Sequence, residues 1–228
     1  MTPVQDSDAG LDEQVYVWVR DRIIDGTFPA GSRIRERELA DELGVSRIPI
    51  REAFPRLEAE GYIRSVRRRG VIVAPMEIEH VEELFAVRVS LEVLAARLAA
   101  LRCAAGDTGE GLAAMLVEAE RAVAGGQQAA IADATAALHE EIVRLSGNEL
   151  LQQLMGPVAG RVQRLFHIVI ERDEVRQHDE HRELCNAILN GEPELAAALA
   201  LAHVEQGRFE TMPIVRAKLG GKAHSESP

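Results

Sequence analysis

Val15, Trp18, Val19 and Ile23 recur three and four residues apart between Leu11 and Ile24, the spacing that places side chains on one face of an α-helix. Gly26 and Pro29 close that helix. A second, short helix is predicted over Glu36 to Leu43, with Leu39, Ala40 and Leu43 inward and Gly44 stopping it. Ser46 is suited to cap a third, which runs towards Glu60 and ends at Gly61. The rhythm then changes. YIRSV and GVIVAP are β-branched runs on either side of RRRG, which predicts a hairpin tipped by three arginines and a glycine. After Pro75 the helical period returns, and Leu84, Val87, Leu91, Leu94, Leu98 and Leu101 form one apolar seam. Further helices are predicted over about 111–124, 129–146, 149–170, 174–189 and 192–215, with Pro157 expected to kink or split the one that contains it.

These elements predict a mainly α protein in two domains. Residues 11–76 form a winged helix-turn-helix and residues 77–217 an all-α helical bundle, between a flexible tail over 1–10 and a disordered one over 218–228. Composition agrees: 46% of residues are apolar and only 4% aromatic, a balance that favours packed helices over a sandwich of strands. Cys103 and Cys185 lie far apart in helical stretches and read as reduced core thiols. No basic start leads into an apolar run, and no stretch approaches about 18 consecutive apolar residues, so a cytoplasmic protein with no membrane partner is expected.

Charge divides the chain in the same place. The net charge is −11, yet residues 11–76 carry 12 Arg and no Lys against 11 acids. A nearly neutral, arginine-only N-terminal part on an acidic body points to an anionic partner at that end. In a helix-turn-helix the second helix leaves its N-terminal face outward, and there Arg47 and Arg51 stand about one turn apart. A guanidinium fork is the commonest reader of guanine O6 and N7, while Ser46 and the first-turn N–H groups offer a phosphate seat. Pro49 costs little in a first turn, whose amides have no intrahelical acceptor.

The stretch ERELADELGVSRIPIREAFPRLEAEGYIRSVRRRGVIVAP resembles the DNA-binding domain of the GntR family of bacterial transcription factors over about residues 11–76. The resemblance implies that Arg37, Ser46, Arg47 and Arg51 contact double-stranded DNA, that the wing around Arg67, Arg68, Arg69 and Gly70 enters the minor groove, and that a homodimer binds a palindromic operator. Pro55 departs from the pattern. In mid-helix it removes an amide and crowds the carbonyl of Arg51, which predicts a kink after Phe54.

In the bundle, His139, His181 and His203 each abut the apolar stripe of a different helix. Convergent neutral imidazoles make a divalent-metal site; the plainer alternative is three satisfied core histidines. LFAVRVSLEVLAARLAA, LHEEIVRLSGN, DEHRELCNAILNGE and AALALAHVEQ resemble the effector-binding and dimerising FCD domain of the FadR subfamily over about residues 78–210. That resemblance implies a metal on the three histidines plus an aspartate one turn before the first, where this chain has Thr135, and three imidazoles alone could hold zinc or nickel weakly. Asp133 is rotated about 120° off the His139 face and is no substitute. It also implies effector contacts at Arg88 and Asn148. Arg88 could fork onto the carboxylate of a small organic acid or pair internally with Glu92, and Asn148 could cap a helix instead. The reading is a ligand-responsive, sequence-specific regulator, chiefly a repressor, and not an enzyme. The rivals are a helical metalloenzyme acting on a small acid and a regulator whose bundle only dimerises.

Overall fold

Gly44 makes the turn on which the N-terminal half is built. Its backbone is left-handed, φ 68° and ψ 28°, a conformation that a Cβ penalises. It ends α2 (Glu36–Leu43) and lets the chain re-enter a helix at once as α3 (Arg47–Ala59). The computed structural model describes residues 10–168 and 174–220. The chain divides into two compact units after Met76.

In the first unit α1 (Leu11–Ile24) packs on α3, and α2 also lies against α3. Val15, Val19 and Ile23 meet Leu43, Ile50 and Leu57 in one core. Three strands form a small antiparallel sheet in the order β1 (Arg33–Ile34), β3 (Gly70–Val73), β2 (Ile63–Val66). The hairpin register pairs Val66 with Gly70, which leaves Arg67 to Arg69 as its tip. Trp18 is buried, with Phe28 edge-on to its ring and the Arg22 guanidinium 3.4 Å from the ring centroid. Helix α3 is unbroken across Pro55. That residue is exposed, so the ring costs a hydrogen bond to Arg51 without disturbing the core.

In the second unit every regular element among the described residues is a helix: α4 (Ile78–Ala104), α5 (Glu110–Gly125), α6 (Gln128–Leu145), α7 (Glu149–Ile168), α8 (Glu174–Leu189) and α9 (Pro193–Gly220). Helix α4 runs through the middle and packs on α6, α7, α8 and α9. The predicted leucine seam is only half inward. Val87, Leu94 and Leu101 are exposed, whereas Ala95, Ala96, Ala99 and Ala100 are buried. Small side chains let neighbouring helices approach closely, so here the alanines define the contact face.

Pro157 does not split α7, which is continuous from Glu149. Residues 169 and 170 of the helix predicted there lie outside the described residues. Helix α9 passes Pro213 and reaches Gly220, so 218–220 are helical rather than disordered; 221–228 and 1–9 are outside the described residues. No helix among the described residues is long and apolar enough to cross a membrane.

Candidate nucleic-acid interface and metal centre

Helix α3 starts with a cap and ends its first turn with a proline. The Ser46 hydroxyl accepts a long hydrogen bond, 3.4 Å, from the Ile48 N–H, and Pro49 sits in the first turn where no amide is needed. Ile50, Ala53, Phe54 and Leu57 turn inward, which holds Arg47 and Arg51 outward, both exposed. Arg51 donates through Nε to Glu36 Oε2 at 2.8 Å across the turn. That exposed pair is worth about 0–1 kcal/mol, so it positions the side chain and yields easily to a stronger anion. Arg37 and Arg47 are exposed and have no ion-pair partner among the described residues.

At the wing, Arg69 N–H closes a turn onto the Val66 carbonyl at 3.0 Å. Arg68 adopts φ 68°, the one non-glycine residue with positive φ among those described, and Gly70 follows at 77°. The turn therefore thrusts three exposed guanidinium groups from one tip. Arg33 adds a fourth cation: a Cβ on Gly70 would lie 3.4 Å from its Nη2. Sequence reading passed over Arg33 because the two-residue strand that carries it has no measurable period. It also passed over Ile48, which is 66% exposed between the arginines.

The bundle brings the three histidines together. His139 of α6 and His181 of α8 place their Nε2 atoms 3.1 Å apart, and His203 of α9 places its own 3.2 Å from that of His181. Nitrogen ligands about 2.0–2.1 Å from a tetrahedral ion lie about 3.3 Å from one another; both separations from His181 match that spacing, and all three donor atoms lie within 4.8 Å of one another. The carboxylate of Glu180 accepts from His203 Nδ1 at 2.9 Å, which turns the Nε2 lone pair of that ring towards the others. Thr135 contributes no carboxylate, and Asp133 is exposed. The trio His139, His181 and His203 is the metal-holding group found among the described residues.

Beside it runs a buried ion pair. Arg88 donates to Glu92 through Nε at 2.6 Å and through Nη2 at 3.4 Å, and Glu92 Oε2 lies 3.7 Å from His139 Nδ1. Burial pushes the Glu92 carboxyl up, but Arg88 and then the nearby His139 pull it further down, and the net is below the usual carboxylate range. Arg88 Nη1 is buried with no hydrogen-bond partner, a costly state in a bundle core. The guanidinium thus serves the internal pair and keeps one N–H-bearing nitrogen unused. Glu92, His139 and His203 line one small pocket with Met155, Leu184 and Ala200. Asn148 is not on that lining: its Oδ1 accepts from the Leu151 N–H at 3.0 Å and caps α7.

The two sites are matched by two family models. Residues 11–73 match the model of bacterial regulatory proteins of the gntR family, and residues 83–206 match the FCD domain. The chain belongs to the GntR family. This GntR chain is 31% identical to the HTH-type transcriptional regulator YdhC of Bacillus subtilis, over 83% of its own length and 86% of the relative's. It is 28% identical to the Nta operon transcriptional regulator of Aminobacter aminovorans, over 83% and 89%. It is 26% identical to the transcriptional repressor GlaR of Escherichia coli, over 90% and 96%. Among solved structures, a GntR transcriptional regulator from Rhodococcus sp. RHA1 superposes with a TM-score of 0.74 at 27% identity, over 89% of this chain and 97% of that one. The relatives are named for regulation rather than for a reaction.

Proposed function

We propose that this GntR protein is a cytoplasmic, homodimeric repressor that reads a palindromic operator and is released by a small organic acid. The observation that carries the reading is the pairing of an outward helix start, bearing Arg47 and Arg51, with a cationic wing on one small rigid unit. Helix α3 enters the major groove, where Arg47 and Arg51 contact bases and Ser46 and Arg37 contact the backbone; Arg67, Arg68, Arg69 and Gly70 meet the minor groove.

In the bundle, His139, His181 and His203 would hold a divalent zinc or nickel ion. Such an ion, when bound, supplies an electrophilic seat for an anionic oxygen. Three imidazoles would bring no negative charge of their own to such an ion, so the site would favour an acidic effector. Arg88 stands behind the pocket lining, bonded to Glu92 on it, and its unused Nη1 supports a second anchor for the effector carboxylate. Effector binding releases DNA only in so far as it favours one presentation of the two half-site readers over the other. Asn148 caps the start of α7, so any effector contact it makes falls to its side-chain N–H2 group.

The test is a selection of random duplexes by the purified full-length protein at low salt, followed by titration of the selected site with nickel or zinc and a panel of small organic acids. Enrichment of an inverted repeat, weakened by one metal–acid combination, is the expected outcome. A protein that enriches no sequence refutes the operator reading; one that binds DNA but takes up no metal and responds to no acid refutes the sensor reading.

A further inference from the structure

Ile48 is the most exposed large aliphatic side chain described in the N-terminal unit, 66% accessible. It stands on the first turn of α3, where it adds nothing to the core and lies between two exposed arginines. At about 100° per residue it points nearly opposite the buried Ile50 and Leu57, and about 60° from Arg51. With Arg51, Glu52 and Pro55, all exposed, it occupies the i, i+3, i+4, i+7 stripe that forms the outermost line of the helix.

The surroundings define what could cover it. Arg47 and Arg51 lie on one side and Glu52 on the other, and the first-turn N–H groups add a positive field, so the balance favours an anionic partner. It must also carry an apolar point at the height of the arginine heads. Of the groups on a duplex major-groove floor, the thymine 5-methyl is the hydrocarbon one, and it lies on the edge that guanidinium forks also read. We propose that Ile48 is a specificity-determining residue that packs on a thymine methyl beside the base read by the neighbouring arginines. The inference rests on the operator reading above and adds a base identity to it.

The test uses the full-length protein and its selected operator. Each thymine is replaced in turn by deoxyuridine, which removes the methyl and nothing else, and affinity is measured by fluorescence anisotropy. Loss of a buried methyl contact corresponds to about a four-fold weakening. One thymine in each half-site is expected to show it with the wild-type protein and to lose it with Ile48→Ala, whose salt dependence stays the same. Ile48 is outside the core, so the variant folds. Uniform indifference to deoxyuridine overturns the proposal, as does a sensitive position that stays sensitive in Ile48→Ala. Either result leaves operator binding intact, whereas failure to enrich any operator defeats the parent reading and this one with it.

Discussion

The two units handle charge in opposite ways. In the N-terminal unit Arg37, Arg47, Arg51 and the wing arginines all stand in solvent, and the one ion pair among them, Arg51 with Glu36, is exposed. In the bundle Arg88 and His203 are buried and engaged with Glu92 and Glu180. Solvated cations suit a large polyanion, since neutralising phosphates releases counterions and the affinity follows the salt. Desolvated, prearranged groups suit a small ligand, for which a few directional contacts in low dielectric must suffice. The contrast teaches where damage should show: substitutions at the first site are expected to alter binding and leave folding alone, while those at the second are expected to cost stability as well.

The sharpest way to break this contrast is Arg88→Met. It strands the Glu92 carboxylate in the core, and the expected loss is about 3–5 kcal/mol in urea denaturation, largely recovered by adding Glu92→Gln. A change within about 0.5 kcal/mol, the range of surface substitutions, would show the pair to be as dispensable as a surface one. Next in size is Pro55→Arg, which restores an amide inside α3. Stability should rise by up to about 3 kcal/mol less about 0.4–1 for the proline's stiffening of the unfolded chain, read as a higher thermal midpoint, and an unmoved midpoint would mean that α3 has adapted to its proline. Arg47→Ala is expected to cost about 1–3 kcal/mol of discrimination at one base pair with the denaturation curve unchanged. Uniform weakening on all sequences would make Arg47 a phosphate contact instead.

Arg68→Gly sharpens the contrast within one residue. Relief of the left-handed backbone should stabilise the unit by about 1 kcal/mol, while the slope of log affinity against log salt falls by about 0.9 if the side chain meets a phosphate. The smallest effect is a null one. Burial pushes the Cys185 thiol up to about 12, so the native protein should leave it unlabelled by Ellman's reagent at pH 8, and rapid labelling would reveal an open bundle.

The N-terminal unit was nearly all legible because its boundaries are chemical. Gly44 and Ser46 stop and start helices through backbone freedom and a side-chain acceptor, signals that a single residue carries. The bundle was legible in its helices but not in their orientation. On α4 apolar residues cover most of the circumference, so periodicity could not rank Leu94 and Leu101 below Ala96 and Ala99; what decides is the closeness of the neighbours, a property of the partners. The histidines could be assigned to inner edges from spacing alone, yet their Nε2 convergence depends on three helices meeting at one level. Glu180 and the unused Arg88 nitrogen were invisible for the same reason. Ile48 carried a signal that went unread: an apolar residue out of phase with the inward set of its own helix.

Trp18 carries one last consequence. It is the single tryptophan of the chain and belongs wholly to the core beneath the helix-turn-helix, with a guanidinium laid over its indole. Its fluorescence therefore watches the N-terminal unit and is blind to the bundle. Paired with circular dichroism, which the helices of the bundle dominate, it turns an ordinary melt into two separate thermometers.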